Sequence, residues 1–316
     1  MGWQLAGVYD VSPQSLELAA RELQLASGLL FDDLDKLYGE TKPSCVIVAT
    51  TADSHCELTC DAAERGVQFI LVEKPMATSL EQCDRMIETC RAHGARLAVN
   101  HQMRFMEHYR EIKQACATLA YGGLASMNII AGNFGFAMNG THYFEAFRFL
   151  TDECPVEVSA WFSLEAVPNP RGARFEDRAG SIRAVTAGGK RLYMEVGADQ
   201  GHGIRHVYAC RNGTLVLDEL TGELLTSVRE EQYRDLPTTR YGMPATDTTR
   251  KLKPIELVES TAAVLTALVQ NVDNVSGEDA RRVIELLVAA YQSAEHGNAP
   301  VKLSTALDRN RVFPWA

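Results

Sequence analysis

A lysine that could take part in proton transfer lies in the tripeptide Glu73-Lys74-Pro75, at the end of the predicted buried strand 68–75. The carboxyl end of a parallel strand is the rim where open α/β sheets bind their ligands. A cation there can orient a hydroxyl or carbonyl oxygen and share its proton, provided that burial lowers the pKa of the amine toward neutrality. On the tripeptide alone, a surface Glu-Lys pair in front of a helix remains open as the alternative.

A second residue suited to ligand binding is Asp10, the last residue of the predicted strand 5–10. Ser12 and Pro13 follow it and begin a predicted helix. In dinucleotide-binding folds, a carboxylate at the end of the second strand binds the ribose 2′-hydroxyl of the adenosine and repels a 2′-phosphate. Asp10 therefore predicts NAD as the cofactor, in preference to NADP.

These residues need a sheet to hold them, and the first hundred residues alternate between two apolar periods. Continuous apolar runs indicate buried parallel strands, and amphipathic segments indicate helices between them. This alternation predicts a doubly wound parallel sheet of the α/β class. The predicted strands are residues 5–10, 45–51, 68–75 and 96–102, and the predicted helices are residues 12–27, 54–66 and 79–94.

After residue 103 strands follow strands, which predicts a second domain of the α+β kind with an antiparallel sheet. We therefore divide the chain into domains at residues 1–102 and 103–316. Residues 167–180 are predicted to form a long mobile loop. Two amphipathic helices are predicted near the end, at residues 256–271 and 276–297.

Composition restricts the classes of function. The 316 residues carry a net charge of −10, from 31 basic and 41 acidic residues, without a basic run, so nucleic acid and anionic membranes are disfavoured as partners. We find no apolar stretch of membrane-spanning length and no signal peptide, and we expect a cytoplasmic protein. The eight cysteines lack Cys-x-x-Cys spacing, and Cys56 and Cys60, one helical turn apart, predict core packing rather than a metal site.

The sequence contains the stretches VIVATTADSHCELTCDAAERGVQFILVEKPMATS (46–79), VNHQMRF (99–105) and NGTHYFEAFRFL (139–150). Together they resemble the glucose-fructose oxidoreductase / inositol dehydrogenase family, the Gfo/Idh/MocA oxidoreductases. The resemblance implies a Rossmann-like cofactor domain, then an α+β domain with an open antiparallel sheet whose exposed face commonly forms dimers or tetramers. It also implies hydride transfer between a nicotinamide cofactor and a hydroxyl-bearing carbon of a sugar, inositol or related polyol. A catalytically silent relative that serves as a binding or oligomeric scaffold is the alternative.

The resemblance assigns the chemistry to Lys74 and His142. Lys74 matches the family lysine that binds the reacting hydroxyl beside the nicotinamide ribose. His142 matches the histidine that accepts the proton, for which a neutral imidazole has a suitable pKa; a core histidine is the alternative. Many members carry an aspartate four residues before that histidine, where this chain has Met138. We place the adjacent Asn139 among the substrate-binding residues, and we expect Glu145 to be structural.

The resemblance also suggests residues that line the cofactor and the cleft. Thr50 and His55 match the family stretch Thr-Pro-x-x-x-His, with Thr51 in place of the proline, although His55 could instead orient the following helix. Asn100 and Arg104 lie at and just after the end of the last predicted strand of the Rossmann-like domain, where the chain enters the cleft. Arg104 could bind a substrate oxygen or form a salt bridge between domains. The predicted cofactor-binding residues are Asp10, Thr50, Thr51, His55, Glu73, Lys74 and Asn100, and the predicted substrate-binding residues are Arg104, Asn139 and His142.

The phosphate-binding loop is the missing motif, because no Gly-x-Gly-x-x-Gly occurs in the chain. Family members place a strand, this loop and a helix, roughly 25 residues, before the strand that ends at Asp10. We expect this unit to lie upstream in a longer protein, with Met1 an internal methionine; true loss is the alternative. Since loop and helix N-terminus bind the pyrophosphate, we expect the chain as printed to bind NADH weakly.

Overall fold

The structure, a computed structural model, describes residues 2–201, 203–237, 244–253, 256–272 and 274–316. Met1, on which the expectation of an upstream unit rests, lies outside these ranges. Within them, no helix combines the length and the apolar character that crossing a membrane would require.

The first hundred residues alternate between short strands and helices, as predicted. The strands are β1 (Val8–Tyr9), β2 (Leu30–Phe31), β3 (Cys45–Val48), β4 (Phe69–Val72) and β5 (Arg96–Val99), and the helices are α1 (Pro13–Leu23), α2 (Leu34–Thr41), α3 (Ala52–Glu64) and α4 (Leu80–Ala92). Strands β3, β4 and β5 form a parallel sheet in that order, and β1 and β2 form a separate parallel pair. The short elements β2 and α2 were not predicted.

The local sequence explains where these helices begin and end. Ser12 and Ser79 are the N-cap residues of α1 and α4, and their hydroxyls accept hydrogen bonds from the backbone N–H groups of Ser15 and Gln82. Such caps satisfy N–H groups that have no partner in the first helical turn. Helix α3 stops just before Gly66, whose φ of 84° suits a residue without a side chain.

The rest of the chain holds a larger sheet and four further helices among the described residues. The strands are β6 (Leu124–Gly132), β7 (Pro155–Phe162), β8 (Gly180–Thr186), β9 (Arg191–Gly197), β10 (Arg205–Cys210), β11 (Gly213–Asp218), β12 (Glu223–Arg229), β13 (Ala245–Lys251) and β14 (Val301–Lys302). The helices are α5 (Glu107–Ala117), α6 (Thr141–Thr151), α7 (Leu257–Gln270) and α8 (Gly277–Glu295).

These strands form one open sheet in the order β13-β12-β11-β10-β6-β9-β8-β7-β14. Its pairs are antiparallel except for β6 and β9, which run parallel with Ser126 opposite Arg191. The predicted open sheet is confirmed, with the correction that it is mixed rather than wholly antiparallel. The physical reason is the connection: α6, β7 and β8 lie between the two strands, and a long crossover returns the chain in the same direction.

Helix α8 joins the two sheets into one packed interior. It packs against β7 of the large sheet and against α4 and β5 of the parallel sheet. At its C-terminal half, Tyr291 contacts Phe313 and Trp315, and the Trp315 indole N–H donates a hydrogen bond to the Tyr291 hydroxyl at 3.2 Å. The two sheets therefore share a continuous core.

Two regions of the sheets leave apolar side chains exposed. One face of the large sheet presents Ile130, Trp161 and Tyr193, which are 46%, 50% and 37% exposed. Strand β3 has a partner on one edge only among the described residues, and Ile47 in that strand is 52% exposed. A fully buried parallel strand would cover such a residue, so β3 is an edge strand here.

Candidate functional site

The carboxyl ends of β3, β4 and β5 form a rim that holds several of the predicted site residues. The Glu73 N–H donates to the Val48 carbonyl and the Asn100 N–H donates to the Val72 carbonyl, each at 2.8 Å. The Asn100 side-chain amide donates to the Glu73 carboxylate at 2.6 Å. The Asn100 Oδ1 is buried and has no hydrogen-bond partner among the described residues. The parallel register thus sets Glu73 and Asn100 side by side and leaves one acceptor for a ligand.

Lys74 extends from the end of β4 toward the turn Phe136–Gly140, which precedes α6. Its ammonium donates a hydrogen bond to the Met138 carbonyl at 2.5 Å, and the peptide bond that follows Lys74 is cis. Burial lowers the pKa of Lys74; Glu73 opposes this shift, Arg171 adds to it, and Asp177 opposes it. Because Lys74 is half-buried, it does not form the surface Glu-Lys pair that the tripeptide alone left open.

His142 lies in the first turn of α6 and is only 8% exposed. Its ring meets the ring of His101 edge to face, with the centroids 5.5 Å apart. Burial lowers the pKa of His142 well below its usual value, and the positive charge of Lys74 adds to this. The imidazole is therefore neutral at pH 7. Within the described residues its Nδ1 has no hydrogen-bond partner. The sequence left His101 without a role, and the structure places it in this group.

Thr50 and Thr51 follow β3 at the same rim. The exposed Thr50 accepts a hydrogen bond from the Ser54 hydroxyl at 2.7 Å. The Thr51 hydroxyl donates to the Asp53 carboxylate at 2.5 Å. Both threonines thus lie at the start of α3, where Thr50 is accessible to a ligand.

His55 lies deeper, as a fully buried side chain of α3. Its Nδ1 faces the Pro75 carbonyl at 3.0 Å and its Nε2 faces the Thr50 carbonyl at 3.1 Å. Burial lowers the pKa of His55. The ring therefore braces the end of β3 against the turn that carries Lys74, which favours the orienting role considered above over direct contact with a cofactor.

Asp10 directly follows β1, which is shorter than the predicted strand 5–10. Its half-buried carboxylate accepts a hydrogen bond from the Ser12 N–H at 2.8 Å. Strand β1 belongs to the two-stranded sheet rather than to the sheet that carries Lys74. Among the described residues, no hydrogen bond or ion pair joins Asp10 to the rim of β3, β4 and β5. A shared role of Asp10 and Lys74 through one cofactor therefore stays a prediction.

Arg104 is buried and forms an ion pair with Glu145 at 3.3 Å. A further hydrogen bond from Arg104 reaches the Asn274 carbonyl at 3.0 Å. Glu145 also pairs with Arg148 at 2.7 Å, and burial raises the pKa of Glu145 while Arg148 and then Arg104 oppose the shift. The structure thus places Arg104 in an ion pair, but this pair lies within residues 103–316 and is not the predicted bridge between domains. Glu145 has the structural position expected of it.

Asp177 is a carboxylate at the site that the sequence did not single out. It lies in the loop 167–180 and is 1% exposed. Its oxygens accept hydrogen bonds from the backbone N–H groups of Ala137 at 2.8 Å and Met138 at 2.9 Å. Burial raises the pKa of Asp177 to about 6. No local pattern marks it, since its partners lie 40 and 39 residues away in the chain.

A second buried carboxylate, Glu219, supports the helix that carries His142. Glu219 accepts hydrogen bonds from the Tyr109 hydroxyl at 2.8 Å, the Tyr143 hydroxyl at 3.3 Å and His206 Nε2 at 2.6 Å. Burial by itself would raise the pKa of Glu219, but the bonds from His206 and the two tyrosines hold it below its usual value. Because Tyr143 is adjacent to His142 in α6, this Glu219 cluster fixes the helix.

The described residues contain no group of three His, Cys, Asp or Glu side chains that could hold a metal ion. Cys56 and Cys60 are buried in the core, as predicted, and all eight cysteines are unpaired thiols. Three of the eight are only half-buried rather than core residues: Cys45, Cys154 and Cys210.

Residues 1–101 match a family model described as an oxidoreductase family with an NAD-binding Rossmann fold, GFO_IDH_MocA. The first third of the chain, residues 1–101, is thus similar to the Gfo/Idh/MocA oxidoreductase family. The family match covers the parallel sheet and the rim that holds Thr50, Glu73, Lys74 and Asn100.

Individual relatives match little more than a third of the chain. It is 36% identical over 113 residues to the 2,7-anhydro-N-acetylneuraminate hydratase of Mediterraneibacter gnavus, which is 36% of this chain and 29% of that protein. It is 30% identical over 122 residues to the inositol 2-dehydrogenase of Acidothermus cellulolyticus, 38% of this chain and 35% of that protein. The chain thus matches about a third of the length of these curated relatives.

A solved structure extends the likeness to nearly the whole chain. It is that of an oxidoreductase from Agrobacterium radiobacter in complex with NAD+, L-tartaric acid and magnesium. The TM-score is 0.77 at 19% identity, over 94% of this chain and 90% of the other. The two proteins therefore share the fold, including the second sheet.

Proposed function

We propose that this chain is an NAD-dependent oxidoreductase that acts on a hydroxyl-bearing carbon of a sugar, inositol or related polyol. The observation that carries the proposal is that the Lys74 ammonium reaches the Met138 carbonyl, four residues before His142. Burial lowers the pKa of both Lys74 and His142. The relative named inositol 2-dehydrogenase supports the substrate class. We keep the division into a cofactor domain at residues 1–102 and a substrate domain at 103–316 as part of the proposal.

The rim of the parallel sheet fits the nicotinamide and ribose end of such a cofactor. Thr50 offers an accessible hydroxyl, and Asn100 Oδ1 is a buried acceptor without a partner among the described residues. Asp10 is proposed to bind the adenosine ribose, which favours NAD over NADP. The bound cofactor would supply the hydride acceptor or donor.

Lys74 and His142 have separate roles in the proposed reaction. The Lys74 ammonium can donate a hydrogen bond to the substrate oxygen and hold it for reaction, as it now does to the Met138 carbonyl. During alcohol oxidation, the neutral His142 ring takes the hydroxyl proton onto a ring nitrogen, and during reduction it returns that proton. The half-buried Asn139, three residues before His142, is proposed to bind a further substrate hydroxyl.

A cofactor-dependent absorbance change at the nicotinamide band, measured with a panel of sugars and polyols, tests the proposed function. NAD and NADP are compared in parallel, and NAD should be the better cofactor. A scaffold that lacks catalysis would show no change with any compound, although it would still assemble. No activity in a preparation that binds NAD would therefore favour the scaffold over the oxidoreductase.

Replacing His142 with asparagine should flatten the acidic limb of the pH–rate profile for alcohol oxidation. In the native protein, oxidation should fall as the pH drops through the pKa of His142, because a protonated ring cannot accept the hydroxyl proton. That pKa is lowered by burial, so the limb should lie below pH 6.5, the ordinary value for histidine. An acidic limb that survives in His142→Asn would identify another group as the base.

We also propose that the exposed face of the large sheet forms a homodimer or homotetramer. Trp161 and Tyr193 expose aromatic surface there, which is typical of protein interfaces. Trp161→Lys should shift the chain toward monomer in size-exclusion chromatography with light scattering. Leu164→Lys is the matched control, since Leu164 is 99% exposed outside the strands and should not affect assembly. A native protein that is monomeric at tens of micromolar would contradict the interface.

A further inference from the structure

Asp177 and Lys74 are linked through a single residue of the turn Phe136–Gly140. The Met138 N–H donates to one oxygen of Asp177, and the Met138 carbonyl accepts the hydrogen bond of the Lys74 ammonium. The other Asp177 oxygen accepts from the Ala137 N–H. Charged acceptors and donors of this kind form hydrogen bonds stronger than those between neutral groups. The peptide group of Met138 therefore lies between a carboxylate and an ammonium.

The backbone around Asp177 is held from both sides. The Val167 N–H donates to the Asp177 carbonyl at 3.0 Å, and the Phe136 N–H donates to the Arg178 carbonyl at 2.8 Å. These bonds tie the end of the loop 167–180 to the turn. The carboxylate is therefore fixed in place rather than presented on a free loop.

Gly135 makes room for this contact. A Cβ atom at Gly135 would lie 2.3 Å from Asp177 Cγ and 2.5 Å from Oδ1, distances that real Cβ atoms do not reach. The φ of Gly135 is −108°, so other residues could adopt its backbone conformation. Glycine is thus required at position 135 by the approach of the Asp177 carboxylate.

We propose that Asp177 is a positioning residue of the site, which holds the Met138 carbonyl against Lys74 and supplies the negative charge that balances the Lys74 ammonium. Residue 138 is a methionine, so its side chain offers Lys74 no carboxylate. Asp177, from another segment of the chain, places a carboxylate against the backbone of Met138. Asp177 does not contact the reacting atoms, because it is 1% exposed beneath the turn.

The charges around Lys74 fix the direction of the expected effect. The negative charge of Asp177 raises the pKa of Lys74 against the lowering by burial, so its removal should lower that pKa further. Asp177 itself carries this charge above its pKa of about 6. The other titratable or charged groups that act on Lys74 or respond to it are Glu73, Arg171, His101 and His142.

A titration of Lys74 by NMR tests this role without any enzyme assay. The protein is labelled with 13C-lysine, and the Cε resonance of Lys74 is assigned by its loss in Lys74→Arg. In Asp177→Asn the titration midpoint of Lys74 should fall by about one pH unit, because an opposite charge nearby has been removed. A folded Asp177→Asn protein with an unchanged Lys74 midpoint overturns the inference.

A matched pair of glycine variants tests whether the position of the Asp177 carboxylate matters while the carboxylate itself is kept. Gly135→Ala should displace Asp177 and lower the Lys74 midpoint in the same direction. Gly201→Ala is the control, since a Cβ there meets no atom within 4 Å. Equal Lys74 midpoints in the two variants would argue against the close contact at Gly135.

If Asp177→Asn does not fold, the effect of Lys74 on the titration of Asp177 is measured instead. The carboxyl carbon of Asp177 should titrate near pH 6 in the native protein. In Lys74→Met that midpoint should rise, because coupling between two sites is reciprocal. An Asp177 midpoint that is the same with and without the Lys74 ammonium overturns the inference.

The catalytic consequence rests on the proposed function. Asp177→Asn should lower kcat for polyol oxidation about tenfold and change KM by less than about threefold, since the reacting groups would be misplaced rather than lost. Coupling by NMR without oxidation of any polyol would retain the positioning role and reject the oxidoreductase. Polyol oxidation without coupling would retain the oxidoreductase and reject the role of Asp177.

Discussion

Lys74→Met, in a protein that carries the complete cofactor domain, is expected to lower the turnover of polyol oxidation by about a hundredfold or more, while the affinity for NAD stays within a few-fold. Methionine has a similar length but can neither donate a hydrogen bond to the substrate oxygen nor carry charge. The loss should therefore appear in kcat, measured at saturating NAD and polyol. Lys302→Met is the matched control, because Lys302 is exposed in β14, away from the rim.

Near-normal turnover in Lys74→Met would contradict the role of this lysine. A hundredfold weaker affinity for NAD with unchanged kcat would instead make Lys74 a cofactor-binding residue. The two results are distinguished by titrating NAD separately, through the quenching of tryptophan fluorescence.

Glu219→Ala is expected to lower the free energy of unfolding by about 3–5 kcal/mol, as for other buried pairs from which one partner is removed. The variant leaves the His206 ring and the hydroxyls of Tyr109 and Tyr143 buried without their acceptor. Urea denaturation at pH 7, followed by circular dichroism, measures the change. The control is Glu223→Ala, whose side chain is exposed at the start of β12.

The pH dependence of this loss follows from the pKa of Glu219, which is lowered in the folded protein. Such a carboxylate stabilises the fold above the pKa that it has in the unfolded chain, about 4.3 for glutamate. The contribution is lost as the pH falls through the lowered pKa of the folded state. The difference between native protein and Glu219→Ala should therefore shrink in acid, and a difference that persists there would point to lost packing instead.

The elements that could be predicted are those whose signals are local. Helices α4 and α8 begin and end within two residues of the predicted positions, because neighbouring residues supply both their serine caps and their apolar faces. Lys74 was predictable because parallel strands end at a common rim. Strand β13 had no such signal, since all seven of its residues are exposed and show no apolar alternation.

The parts of the site that could not be predicted depend on partners far away in the chain. The sequence does not reveal which acidic residue pairs with Arg104. Its role therefore stayed open between substrate binding and a salt bridge until the structure placed Glu145 beside it. Asp177 lies in a loop without periodicity and is defined only by its contacts with the backbone of Ala137 and Met138. The parallel pairing of β6 with β9 likewise depends on the path of the intervening chain.

The exposed edge of β3 bears on how the protein behaves at high concentration. An edge strand presents unpaired N–H and C=O groups, which can template pairing with a strand of another molecule. Many proteins guard such edges with a lysine, a proline or a bulge, but β3 consists of Cys45, Val46, Ile47 and Val48. Among the described residues no strand covers this edge, so it is free to pair with a further strand, and a charged residue in place of Ile47 is the smallest change that would oppose such pairing.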